Sequence, residues 1–329
     1  MQSLLRRPLA GGRRPTSSAS VHLVRHGSLC PQTPPSSTTP RYHLCPGASG
    51  YTALEPVTQR DFGFPYDPAA GFRVDDSGRT LSAADVVRML EPFSMEERIA
   101  RIEAVTAGRT FSVVPVVEGL YDMGNVAAVC RTADALGYGS VHMINKTDNK
   151  YKLSQRTAAG ADKWLDVRVW DSTAACVSAA KAAGYQVLTT HLTKSSITIQ
   201  EVDWTRPTAF ILGNEKFGVS DEAVALADAC VIIPMTGMVE SFNISVASAL
   251  VLWEAQQQRL RRQGRHADLS EEERLALKAV MLSKTVKESR TVLSELLSRP
   301  APQWQSGIIK QTAKKAEEYE AGRQAKVGA

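Results

Sequence analysis

The sequence predicts an α/β fold: a mostly parallel, six-stranded sheet with helices on both faces, extended by helical segments at either end. Three observations predict it. Six short, largely β-branched apolar runs recur between Phe111 and Met235, each of strand length. Helical stretches alternate with them over 125–136, 171–183, 219–228 and 243–262, and such alternation lays parallel strands side by side under helices. With 329 residues, 43% of them hydrophobic, the chain can bury one sizeable core plus appendages. No run approaches the roughly 18 consecutive apolar residues of a membrane span, so no membrane partner is expected.

Residues 1–50 contain Arg6, Arg7, Arg13, Arg14, Arg25 and Arg41 but no Lys, Asp or Glu, amid many Ser, Thr and Pro. That composition predicts an organellar transit peptide, chloroplast favoured over mitochondrion; a disordered basic tail that stays attached is the other reading. Residues 51–107 form an N-terminal extension. Its first part, 51–80, is rich in Gly, Pro, Asp and Tyr without a lasting period and reads as irregular. Two short helices follow, capped by Ser82 with Asp85 and by Ser94 with Glu97.

The main domain is placed at 108–260. Its strands are FSVVPVVE from Phe111, SVHMIN from Ser140, WLDVRVW from Trp164, QVLTTHL from Gln186, TAFILGN from Thr208 and VIIPM from Val231. Residues 261–329 form a basic helical extension. It opens on a capping box, Ser270 with Glu273, and runs through Leu275, Leu277, Val280 and Met281 toward Val292, Leu293, Leu296 and Leu297.

The formal charge of +5 is misleading, because residues 1–50 alone contribute six arginines and no acid. Residues 51–258 hold 18 basic and 25 acidic side chains, residues 259–329 hold 15 and 9. Net charge therefore does not argue for nucleic-acid binding by the main domain; the basic tail is either a phosphate-contacting surface or a solvated helical face. Cys30, Cys45, Cys130, Cys176 and Cys230 form no C-x-x-C pair and have no His at zinc spacing, so no metal is expected. Cys130 and Cys230, in apolar runs, read as reduced core residues.

A glycine-rich dinucleotide loop after the first strand is absent, as is a P-loop; Gly137-Tyr138-Gly139 follows a helix and precedes a strand, the wrong order. This removes a nucleotide-binding oxidoreductase from consideration. Three loops remain, each leading from a strand into a helix. Gly124 to Arg131 sets an amide, Asn125, and a guanidinium, Arg131, six positions apart at a helix start; Asn125 as a plain cap with Arg131 in solvent is equally compatible. Leu212 to Gly218 runs a strand into Gly213, Asn214, Glu215, Lys216 and a second glycine, either a ligand-wrapping loop or a capped turn. Ile233 to Ala249 leads through Ser241 and Asn243 into a helix with small residues at 245, 247, 248 and 249, suited to close packing or to ordinary capping.

In this order and at these separations, the three loops resemble the signature motifs of the SpoU branch of SPOUT methyltransferases, and within it the bacterial tRNA (guanosine-2′-O)-methyltransferases. The resemblance spans about residues 108–260 and includes THL at 190–192, ALAD at 225–228 and IIPMTGMVESFNISVASAL from Ile232. It implies a deep C-terminal trefoil knot, a rare exception among folds, with S-adenosyl-L-methionine bent into it. It implies that Arg131 is the catalytic arginine, with Asn125, Glu215, Ser241 and Asn243 around it. It places the cofactor against Thr190, His191, Leu192, Gly213, Ile233, Met235 and Phe242. Asn214 stands where relatives often have Gln, and Phe242 where they often have Leu.

The implied reaction is methyl transfer to a ribose 2′-hydroxyl of RNA, that of the D-loop guanosine of tRNA, carried out by a homodimer in which one subunit's arginine completes its partner's pocket. Organellar rRNA as substrate, or a non-catalytic RNA-binding protein that kept the fold, are the alternatives; the presence of Arg131 and Asn243 argues against the latter. A sulfonium methyl is already electrophilic, so the protein must place the ribose oxygen in line and take its proton. A guanidinium ordinarily stays protonated. The family's arginine therefore acts as base only with help, for instance from an RNA phosphate, and otherwise orients the ribose and stabilises developing charge.

Overall fold

The computed structural model describes residues 41–42, 54–119, 123–145, 160–214 and 217–298; the polar end of the chain and the expected transit segment lie outside them, except for Arg41–Tyr42 of that segment, which forms a strand. The N-terminal part is less irregular than its composition suggests. After β1 (Arg41–Tyr42) come β2 (Glu55–Pro56), β3 (Phe72–Arg73) and β4 (Thr80–Leu81), the last three forming a small antiparallel sheet. Then follow α1 (Ala83–Leu90) and α2 (Glu96–Ala107). Ser82 caps α1 as expected, accepting from Asp85 N at 3.1 Å. Ser94 does not cap α2: the helix starts one residue later, with Met95 at the cap and no side-chain bond to it.

The main domain runs β5 (Val113–Glu118), α3 (Met123–Ala135), β6 (Ser140–Ile144), a 3-10 turn (Ala161–Trp164), β7 (Asp166–Trp170), α4 (Thr173–Ala182), β8 (Gln186–Thr190), β9 (Ile197–Thr198), β10 (Thr208–Leu212), α5 (Asp221–Leu226), β11 (Ala229–Ile232) and α6 (Ile244–Gln263). All six expected strands are present, yet the sheet is larger than the six predicted. Seven strands are parallel, in the order β7-β6-β5-β10-β8-β11-β9, and β1 adds an antiparallel edge beside β7. The two unforeseen members, β9 and β1, are two residues each, too short to show a period.

Alternation along the strands divides the core. Val113 and Val117 of β5, with Phe210 and Leu212 of β10, face α3 and α6 through Val126, Val129, Cys130, Val251 and Leu252. Val114, Val116, Ala209 and Ile211 face α4 and α5 through Cys176, Val177 and Ala223. Cys230 is half-buried on β11, less enclosed than Cys130 or Cys176. Phe62, from the stretch read as irregular, covers part of the second face against His142, Trp170 and Tyr185.

Two more helices, α7 (Glu271–Thr285) and α8 (Ser289–Ser298), complete the described chain. The Ser270–Glu273 capping box forms in both directions. The single helical stretch expected there is broken at Glu288, which takes a left-handed φ of 54°. The two extensions share one core: Leu54, Phe64, Phe72, Val86 and Leu90 pack with Ala276, Leu277, Val280, Met281 and Leu293. Arg109 and Thr110 join that core to the main domain. The buried Arg109 guanidinium pairs with the Asp134 carboxylate at the end of α3 and donates to Tyr138 O at 2.7 Å. Thr110 Oγ1 donates to Asp268 at 2.6 Å, and Arg259 of α6 pairs with the same carboxylate at 2.7 Å.

At this junction His266 is 8% exposed, its ring 4.8 Å from that of Tyr138. Burial, and then the neighbouring Arg259 charge, lower its pKa from 6.5 to about 4. His142, buried on β6, is lowered well below 6.5 by burial and then by Arg168. Both bind protons more readily in the unfolded chain, so stability is complete above about pH 6.5 and falls as pH drops toward 4. His266 contributes up to about 3 kcal/mol of that fall at 1.36 kcal/mol per unit. Urea denaturation at pH 7 and pH 5 should show wild type weakening in acid and His266→Gln weakening distinctly less; identical pH dependence in both proteins would refute this assignment.

Candidate functional site

Because the strands are parallel, the loops after β5, β10, β8 and β11 all emerge at one edge of the sheet, and these four strands are neighbours in that order. Chain order reverses there: β5, β6 and β7 extend one way, β8 and β11 the other. Open parallel sheets bind ligands at such a reversal, outside the carboxyl ends of the strands.

The structure brings Asn125 and Asn243 together across 118 positions of sequence: Asn243 Nδ2 donates to Asn125 Oδ1 at 3.1 Å. Asn243 also caps α6, its Oδ1 accepting from Ser245 N at 2.9 Å, so its side chain is fixed from both sides. Ser241 and Phe242, immediately before it, are exposed. Arg131 is exposed on α3, and among the described residues no hydrogen bond joins it to the asparagine pair. Glu215 lies outside the described residues.

The expected cofactor residues line the same edge. Thr190, at the end of β8, is half-buried and donates to Ile211 O at 3.2 Å; His191 N donates to Val231 O at 3.2 Å while its side chain and that of Leu192 are exposed. Ile233 rests against the core and Met235 is exposed. Gly213 is enclosed by its own loop: a Cβ there would lie 2.1 Å from Gly218 C and from Val219 N. That loop is closed by Asn214, whose N donates to Gly218 O at 3.0 Å, accepts through its O from Gly218 N at 2.7 Å, and whose Nδ2 donates to Gly119 O at 2.9 Å.

A nucleoside cofactor held mainly by backbone needs uncommitted peptide groups beside apolar walls. Among the described residues, the backbone of 233–242 enters no hydrogen bond, although Ile232 and Asn243 on either side do. Met235, Met238 and Phe242 leave apolar surface exposed along the same segment. The arrangement fits such a ligand.

Glu118 was not marked by the sequence reading. Only 5% exposed at the end of β5, it accepts hydrogen bonds from Thr173 Oγ1, Ser220 N and Ser220 Oγ at 2.5, 2.8 and 2.7 Å. The signal was an acid ending an otherwise apolar strand, VVPVVE.

A parallel sheet covered on both faces, without a phosphate loop and with its candidate residues gathered at the carboxyl ends of four neighbouring strands, defines the class. The chain matches the SpoU rRNA Methylase family over residues 112–253. It is 42% identical over 162 residues to the Escherichia coli (strain K12) tRNA (guanosine(18)-2′-O)-methyltransferase, covering 49% of this chain and 70% of that one. It is 34% identical over 209 residues to the enzyme of the same name from Aquifex aeolicus, covering 63% and 99%. The crystal structure of the A. aeolicus TrmH/SpoU tRNA modifying enzyme superposes with a TM-score of 0.54 at 33% identity, over 58% of this chain and 98% of that one. The protein belongs to the SpoU methylase family.

Proposed function

We propose that the protein transfers a methyl group from S-adenosyl-L-methionine to the ribose 2′-hydroxyl of a D-loop guanosine in tRNA. The observation that carries this reading is the Asn125–Asn243 hydrogen bond. It assembles the first and third family motifs at the strand-end edge, in a chain whose relatives above are named for this reaction. When bound, the cofactor supplies a sulfonium-activated methyl. Thr190, His191, Leu192, Gly213, Ile233, Met235 and Phe242 hold it, largely through backbone. Asn125, Ser241 and Asn243 fix the ribose, a role the resemblance extends to Glu215, and Arg131 orients the 2′-oxygen and stabilises charge as its proton leaves.

A homodimer is part of this reading. Val246, Leu250 and Trp253 stand exposed at i, i+4 and i+7 on α6, and Met238 and Val239 lie exposed just before it, an apolar stripe suited to a self-complementary interface. Arg131, unattached to its own asparagine pair, suits a role in the partner's pocket. Leu250→Arg is expected to convert a dimer into a monomer in sedimentation at micromolar concentration and to abolish methyl transfer; a wild-type monomer would exclude this assembly. The trefoil knot is supported by β10 lying between β5 and β8, and by Gln258 of α6, which donates to Val202 O at 2.7 Å and accepts from Trp204 N at 2.8 Å. The composition of residues 1–50 supports an organellar destination, the chloroplast before the mitochondrion.

The test is methyl transfer from labelled S-adenosylmethionine to organellar total RNA by the chain lacking residues 1–50, with the product mapped by nuclease digestion. Label as 2′-O-methylguanosine in the tRNA D-loop supports the reading. Label in rRNA keeps the chemistry and replaces the substrate, and cofactor binding without label in any RNA leaves a non-catalytic RNA-binding protein.

A further inference from the structure

We infer that Glu118 is a positioning residue for the cofactor wall: its buried carboxylate fastens Ser220 and the start of α5 to the end of β5, holding Gly218 and Val219, and through them Gly213, in place before any ligand arrives. The inference rests on the functional reading above.

The loop is fixed at both ends by two consecutive residues of one strand end. At its start, Asn214 Nδ2 donates to Gly119 O at 2.9 Å. At its finish, Ser220 donates to Glu118 through both N and Oγ, at 2.8 and 2.7 Å. Ser220 Oγ in turn accepts from Ala223 N at 3.1 Å, capping α5, so the carboxylate sets the hydroxyl that starts the helix. A third donor, Thr173 Oγ1 at 2.5 Å, ties in the start of α4. Thr173 is fully buried.

Core stability alone does not call for this arrangement. A buried carboxylate stabilises little compared with an apolar group of the same volume, and its usefulness lies in fixing one geometry among several. The neighbouring strand residues Val114 and Val116 already supply apolar packing on that face. Glu118 sits at the strand's last position and faces loop donors instead, as expected of a group that orders a binding wall. Gly213 directly precedes the first anchor, and its close approach to Gly218 and Val219 ties it to the second.

The experiment uses the full chain as wild type, Glu118→Gln, Ser220→Ala and Ser220→Thr. Calorimetric titration with S-adenosylmethionine in the absence of RNA gives Kd, thermal melting gives stability, and methyl transfer at saturating cofactor gives kcat. Glu118→Gln and Ser220→Ala are expected to raise Kd about tenfold, the scale on which supporting groups act on a bound ligand, with kcat at saturation changed much less. Ser220→Thr, which keeps the hydroxyl, should restore wild-type Kd. A wild-type Kd in Glu118→Gln overturns the inference. So does equal Kd in Ser220→Ala and Ser220→Thr, the comparison that decides if Glu118→Gln fails to fold. Binding with the expected affinities in a chain that methylates no RNA upholds the role of Glu118 and overturns the reaction.

Discussion

Arg131→Ala is expected to lower methyl transfer to RNA by about 10²–10³-fold or more, the loss typical of removing a donor aimed at developing charge, while S-adenosylmethionine binds as before. The two parts of this expectation have separate causes. Arg131 is exposed on α3 and its side chain enters no hydrogen bond or ion pair among the described residues, so its truncation should change stability by no more than about 0.5 kcal/mol. None of the expected cofactor positions lies on its helix, so the binding wall is left intact. What disappears is the planar cation that orients the 2′-oxygen and meets the charge formed as its proton departs. Arg131→Lys should recover little, since an ammonium lacks the rigid fork of donors. Single-turnover methyl transfer with cofactor calorimetry measures both parts. Retention of more than about a tenth of the wild-type rate would remove Arg131 from the reaction.

How much of this was legible in the sequence depended on the range of the interactions. Strands such as TAFIL and VVPVVE are continuous apolar runs because both their faces are covered, and they could be read directly. The Ser82 and Ser270 caps are local and equally readable, but Ser94 shows the limit: the capping pattern was present and the helix began one residue further on. The extensions were opaque because their order is non-local. Leu54 N donates to Ser283 Oγ across 229 positions, and the aromatic residues Phe62, Phe64 and Tyr66 are placed by tertiary packing without any period. The functional site behaves similarly. Spacing alone left Asn125 and Asn243 as two separate caps; the resemblance brought them together, and the structure joins them at 3.1 Å. Glu118 was passed over because its three donors come from two distant segments, although an acid ending a buried strand is itself a signal.

Gly213→Ala is expected to reduce cofactor affinity by about 100-fold, roughly 2.7 kcal/mol, and to destabilise the fold by about 1–3 kcal/mol, the usual scale for forcing extra atoms into a packed site. The added Cβ would stand 2.1 Å from Gly218 C and Val219 N, backbone atoms that no rotamer change can move aside. Relief requires opening the loop, which breaks the paired bonds between Asn214 and Gly218 at 3.0 and 2.7 Å and pulls Asn214 from Gly119 O. Both the shape of the wall and its anchorage to β5 are then lost together. Gly218→Ala is the informative contrast. Gly218 has a left-handed φ of 66° but open space where its Cβ would be, so that substitution should cost only the strain of the conformation, about 1–2 kcal/mol, and leave the Gly213 side of the wall in place. Calorimetry and thermal melting of the two variants separate a steric effect on the wall from a general effect on the turn. Equal losses of cofactor affinity in both would mean that the turn acts as a whole and that the closeness of Gly213 to Gly218 has no particular part in binding.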